Sequence, residues 1–367
     1  MTDPDHRPVL YTPDVESHED DEPKTVADLD QTMGEIREKT FQHTGHAKRS
    51  VHVKSHGALR ATLTVESGLP ETLAQGLFAT PGRYEALMRF SSPPGDMLDD
   101  KISLSRALAL KIVGVPGERL EGSEGDATQN FIFIDSPVFS APSAKGFLRN
   151  LKLLAATTDK AEGAKKALSA TLQVAEKVVE LFGEKSAKLT AMGGHAKTQV
   201  LGETFFTAAP HRFGAYIAKL SVAPVSPELR ALTDAPADLD DRPDGLREDL
   251  VAFMRTHRAE WVVQAQLCTD LDDMPVEDPS VEWDTEASPY VTVARLVAEP
   301  QEAWNGAIER YVNDHLFFSP WRGLAAHQPL GDVMRARKPA YEHSARFRAE
   351  KNGIAVEEPA DLSAYPT

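Results

Sequence analysis

Cysteine is nearly missing from this chain of 367 residues: Cys268 stands alone, so no disulfide can form within the chain and no thiolate cluster can hold a metal. Its setting, Val263-Gln-Ala-Gln-Leu-Cys268, reads as a buried strand thiol. Any run of 18 uncharged apolar residues is missing too, which leaves no candidate membrane-spanning helix. The N-terminus, Met1-Thr-Asp-Pro-Asp-His6, has neither the basic nor the apolar region of a signal peptide. Basic residues are in deficit, 40 against 56 acidic, for a formal net charge of -16, which argues against recognition of nucleic acid or of an anionic membrane by long-range attraction. The expectation is a cytoplasmic protein acting on a small molecule, with neither nucleic acid nor membrane as partner.

What is present falls into a plain order. Residues 1–24 are acidic, proline-bearing and without apolar periodicity, and are expected to form an extended or mobile arm. Thr25 is placed to cap a helix over 26–40, where Val26, Leu29, Met33 and Ile36 share a face. Short β-patterned runs follow at 59–65, 84–91, 107–113 and 131–135. From 143 to about 195 the pattern turns helical, with Leu168, Leu172, Ala175, Val179 and Phe182 at helical spacing and Gly183 as terminator. Four more strands are expected at 199–207, 215–222, 261–268 and 290–297, and helices at 244–257, 305–316 and 332–351, ahead of a polar tail. No internal repeat is found. Eight antiparallel strands invite closure, because an open sheet of that size must curl or cover its edges.

The stretch around which the chain is organised is Lys48-Arg-Ser-Val-His52-Val-Lys-Ser-His-Gly57, which feeds a strand in which Leu59, Ala61, Leu63 and Val65 alternate with polar residues. Read alone, His52 is a polar strand end. Arg89-Phe-Ser91 and Arg337-Lys-Pro-Ala-Tyr341 read alone as a turn approach and as a surface Arg–Tyr pair on one helix face. His43, His46, His52 and His56 also offer a non-haem metal cluster, though without a carboxylate at matching spacing.

Taken together and in this order, the three segments resemble the haem catalases, over about 46–348. The resemblance implies an α+β fold: an eight-stranded antiparallel β-barrel with helical insertions and a C-terminal haem-ligand helix. It divides the chain into an arm and helix (1–44), a haem-binding barrel domain (45–350, insertion about 143–195) and a polar tail (351–367). It also implies haem b as cofactor, a peroxide as substrate and a homo-oligomer, with the N-terminal region wrapping a neighbouring subunit.

On this resemblance Tyr341 is the iron ligand, and Arg337 assists it, since ferric iron and a neighbouring guanidinium both stabilise a phenolate. His52 is the distal acid–base group, moving the peroxide proton from the inner to the outer oxygen and leaving a ferryl haem. Ser91 holds the other ring nitrogen. Asn130 is the nearest candidate for the distal asparagine, with Ala127 or Thr128 there in other registers. Arg49 and Arg89 meet the haem propionates, and Phe131 faces the haem from the fourth strand or, more simply, is core. Pro339 is expected to bend the ligand helix. His56 and Ser55 replace small residues of the usual segment, and no NADPH binding is expected. The function implied is dismutation of hydrogen peroxide, peroxidase action on organic hydroperoxides, or both; the alternatives are rearrangement of fatty-acid hydroperoxides and a haem-binding relative without turnover.

Overall fold

The computed structural model describes residues 7–95, 97–102, 104–157 and 195–366. Helix α1, Glu22–Thr44, opens the ordered body. It starts three residues before Thr25, because Pro23 suits a first helical turn, where its missing N–H is no loss. Thr25 therefore sits inside the helix and donates its hydroxyl back to Asp21 O at 3.3 Å. Gly45, at φ 67°, ends the helix in the left-handed conformation.

Four strands follow: β1 (Ser55–Val65), β2 (Arg83–Ser91), β3 (Ala107–Val113) and β4 (Thr128–Ile134). Each pairs antiparallel with its sequence neighbour. Helix α2 (Ala144–Thr157) begins the expected insertion, whose remainder, including 168–183, lies outside the described residues. The strand expected over 199–207 is only β5 (Phe205–Phe206), preceded by a 3-10 turn at Val200–Gly202. There Gly202 lies so close to the Leu232 carbonyl that a Cβ would clash. A short β6 (His211–Phe213) that the sequence pattern did not announce precedes β7 (Tyr216–Pro224). Helix α3 (Gly245–Met254), β8 (Ala259–Leu267) and β9 (Val291–Ala298) complete the barrel.

The ring closes because β1 pairs with β9 and β5 bridges β4 to β7, while β6 extends the β5 edge of β7. This is the expected eight-stranded antiparallel barrel. Strand alternation sorts its side chains. Leu59, Leu63, Met88, Phe90, Leu110, Phe131 and Phe133 fill the interior with Trp261 and Leu296, all fully buried.

The opposite faces of β1–β4 form a second apolar surface through Ala58, Leu87, Ala109 and Ile132. It is covered by Ile308, Val312, Leu316 and Phe318 and by the C-terminal Leu362 and Tyr365. Helix α4 (Gly306–Arg310), capped by Asn305 Oδ1 on the amides of Ala307 and Ile308, runs into a π-turn at Tyr311–His315. The last helix, α5 (Asp332–Asn352), runs unbroken through Pro339 and packs Ala336 and Ala340 against Leu29, Met33 and Ile36 of α1.

Both ends of the described residues are tied down. The described arm pairs Val9 N with Cys268 O and Tyr11 N with Ala215 O, at 2.8 Å each, and Glu16 and Glu22 both engage Arg335 of α5. The C-terminal segment, read as a polar tail, lies along the barrel with Leu362 and Tyr365 buried. Its Glu357 bridges to Leu316, and Tyr365 Oη donates to Ala58 O at 2.9 Å.

Candidate active site

Between the outer face of β2–β4 and helix α5 lies a cavity with about 680 Å³ of empty space, partly open to solvent. Register builds its barrel wall: Arg89 of β2 stands beside Ala109 of β3 and that beside Ile132 of β4, while Ser91 stands beside Ala107. All five line the cavity. The facing wall is one stripe of α5, in which Arg337, Tyr341, Ser344 and Arg348 recur at spacings of four, three and four. Segment 49–52 and the Phe317–Phe318 pair close the sides.

His52 reaches this cavity through an unusual backbone. Its φ is 55°, a left-handed conformation that costs a residue with a Cβ roughly 1–2 kcal/mol. Two bonds hold it there: its N–H donates to Pro93 O at 2.8 Å, and its carbonyl accepts from Arg89 Nη2 at 2.5 Å. Nδ1 lies 3.3 Å from Ser91 Oγ, the pairing expected from the sequence. Burial, reinforced by Arg89, Arg337 and Arg49, lowers the imidazole pKa to about 3, so the ring is neutral at physiological pH.

On the other wall Arg337 Nη2 donates to Tyr341 Oη at 2.6 Å, with the guanidinium 5.3 Å from the ring centroid. Arg49 donates to Val312 O at 2.7 Å, Leu316 O at 3.0 Å and Asn313 Oδ1 at 3.0 Å. Arg348 donates to Asn313 O at 2.5 Å and Leu316 O at 3.2 Å. These carbonyls are available because they sit at the C-terminal end of the helix, where no later N–H follows to bond them. The four guanidiniums of Arg49, Arg89, Arg337 and Arg348 share a cavity whose lining includes no carboxylate. Burial first, and mutual repulsion second, hold Arg49 well below the usual arginine range and Arg89 at about 9. Burial lowers Arg348 to about 10.

This lining fits a flat, apolar, dianionic group. Arginines without counterions await carboxylates, the buried Arg348 Nε has no partner, and a phenol oxygen and an imidazole come from different walls. Haem b has that description.

Two expected residues stand elsewhere. Phe131 points into the barrel, 6.2 Å from the Phe133 ring and 5.5 Å from the His327 ring. It follows Asn130 directly, so strand alternation puts the two on opposite faces, and Ile132 is the β4 residue that lines the cavity. Asn130 lies on the outer face but outside the lining. Its Nδ2 donates to Arg322 O at 3.0 Å, leaving Oδ1 unpartnered. Nor do the four histidines converge: His46 pairs with Asp314, His56 with Ser92, and no group of three or more metal-binding side chains occurs among the described residues. Arg348 is the residue that motif reading missed, although its place seven residues after Tyr341 was a usable signal.

No family sequence model matches the chain, and no curated protein matches it in sequence. Solved structures match closely in fold. A fungal catalase superposes with a TM-score of 0.60 at 16% identity, covering 89% of this chain and 67% of its own. Catalase A from Saccharomyces cerevisiae gives 0.59 at 16% identity, covering 86% and 64%. A bacterial catalase gives 0.61 at 16% identity, covering 88% and 62%. The chain thus has the catalase fold and spans about two thirds of the length of these catalases.

Proposed function

We propose that this chain binds haem b in the cavity between α5 and the barrel and uses it to process hydroperoxides, as an oxidoreductase with peroxide as acceptor. One observation carries the reading. Tyr341 with its arginine and His52 with its serine, placed by distant parts of the sequence, line a single cavity whose charged lining is four guanidiniums without a carboxylate.

Haem, when bound, supplies a redox-active iron at which an O–O bond is cleaved. Tyr341 is the ligand, held by Arg337 Nη2, a donor that supports negative charge on the phenol oxygen. Arg49, Arg89 and Arg348 bind the propionates. Neutral His52 accepts a proton from the hydroperoxide and returns it to the departing oxygen, with Ser91 fixing the ring through Nδ1.

Among substrates, an organic hydroperoxide is favoured over hydrogen peroxide. With Asn130 turned to Arg322 O, the barrel wall beside His52 and Ser91 is apolar apart from Arg89, and its Ala107, Ala109 and Ile132 suit a carbon substituent. The reading includes a homo-oligomer, as the catalase resemblance implies. No helix among the described residues is long and apolar enough to cross a membrane.

The test is spectral and kinetic. The purified, iron-replete protein is expected to be brown with a high-spin ferric spectrum of a phenolate ligand, which Tyr341→Phe abolishes. An unchanged spectrum and haem content in that variant refutes the ligand. Oxidation of a chromogenic donor with cumene hydroperoxide is expected to outrun oxygen release from hydrogen peroxide.

A further inference from the structure

A second cavity, with about 800 Å³ of empty space partly open to solvent, lies behind Arg49. Arg49 lines both cavities, and its partner Asn313 lines the second, so this pair forms the partition between them. The charge of the second cavity runs against that of the chain. In a molecule of net charge -16 it gathers Lys48, Arg49, Arg247 and Arg310 against Glu309 and Asp314; Asp314 is engaged by His46 at 2.8 Å and Arg247 by Asp244 at 3.4 Å, which leaves Lys48 and Arg310 as the excess. Among the described residues neither Lys48 nor Arg310 is ion-paired. The cavity also has a flat apolar side. Arg247, which donates twice to Ser55 O at 3.0 and 2.9 Å, sits 5.4 Å from the Trp304 ring and fixes its orientation. Met97, 48% exposed, lines the same cavity.

Unpaired cations beside a fixed indole and an exposed thioether define a ligand with a negative charge and an aromatic ring. We propose that this cavity binds a carboxylate-bearing phenol, the reducing co-substrate of the reaction in the neighbouring cavity. Its carboxylate meets Lys48 and Arg310, and its ring lies against Trp304 and Met97. The redox role rests on the haem reading above; the binding itself does not. Two phenols reduce one hydroperoxide. Each gives one electron and its phenolic proton, the O–O bond breaks, and the products are one alcohol, one water and two phenoxyl radicals. The local excess of positive charge draws the donor to this side of the partition.

Calorimetric titration of the haem-loaded protein with ferulate, guaiacol and tyramine (anionic, neutral and cationic phenols at neutral pH) tests the site. Ferulate is expected to bind about tenfold more tightly than guaiacol, the sum of two partly exposed ion pairs, with tyramine weakest. The double variant Lys48→Glu/Arg310→Glu is expected to lose about that tenfold for ferulate, to lose less than about twofold for guaiacol, and to raise the ferulate KM more than it lowers kcat. Equal affinities for ferulate and guaiacol, or ferulate affinity within about twofold of the parent in the double variant, overturn the site. If instead the haem reading is wrong, charge-selective ferulate binding persists and no phenol is oxidised.

Discussion

Burial, and after it the surrounding guanidiniums, keep the His52 ring neutral. Its pKa of about 3 lies below the ordinary histidine value, so lowering the pH from 8 to 5 leaves the base in its working form. Hydroperoxide cleavage is therefore expected to show no acid limb near 6.5, and a pH profile of kcat/KM with such a limb assigned to His52 contradicts the assignment. Replacing the ring by His52→Ala is expected to lower cleavage by at least the roughly 10²–10⁴-fold typical of a positioned acid–base group, with haem content retained. Stopped-flow mixing with cumene hydroperoxide reads the loss. Near-parent rates remove His52 from the mechanism.

Among elements, the C-terminal segment 353–366 most directly supports the cavity from outside. Its Glu358 forms an ion pair with Lys111 of β3 and accepts from Thr128 Oγ1 at 2.6 Å. Lys111 is fully buried and lies 5.4 Å from the ring of Phe318, itself a cavity wall. Burial lowers the Lys111 pKa even with Glu358 opposing. Glu358→Ala strands a buried cation and is expected to cost about 3–5 kcal/mol in urea unfolding, most of which returns when Lys111→Met is added. A loss below about 1 kcal/mol shows that the pair is solvated and the segment loosely held.

Elements are also the scale at which sequence and structure part company. The long alternating strands β1, β3, β8 and β9 are written in their apolar periods, and the Arg337–Tyr341 face in its spacing of four. The short β5 and β6 carry too few residues for any period, so their pairing is visible only once β7 is in place. Asn130 and Phe131 are neighbours on β4 and so face opposite sides, which rules out a shared place in one cavity. Arg348 was within reach of the same helical arithmetic that placed Tyr341. The left-handed turn at His52 was not, because the Pro93 carbonyl and Arg89 that hold it come from another strand and the loop after it.

At the scale of the whole molecule, three histidines among the described residues stand fully enclosed and uncharged: His56, His211 and His327. Burial holds His56 well below its ordinary value, His211 at about 4 and His327 at about 3. Below the unfolded value of about 6.5 the unfolded chain binds more protons at these sites, so stability falls as pH drops from there toward the folded values. Each contributes up to about 1.4 kcal/mol per pH unit in that window. Urea midpoints are expected to decline steeply from pH 6.5 to 4, and less steeply in His211→Phe. Equal slopes in parent and variant show that His211 is protonated in the folded state.

The cavity's two walls come from opposite ends of the polypeptide, one from segment 49–132 and the other from 337–348. During synthesis on the ribosome the first wall is finished long before its counterpart exists, and Ala109 and Ile132 wait uncovered until α4 and the segment after it emerge. If the cavity holds haem as proposed, pigment capture therefore waits for α5, and a nascent chain halted before Tyr341 is expected to carry no colour.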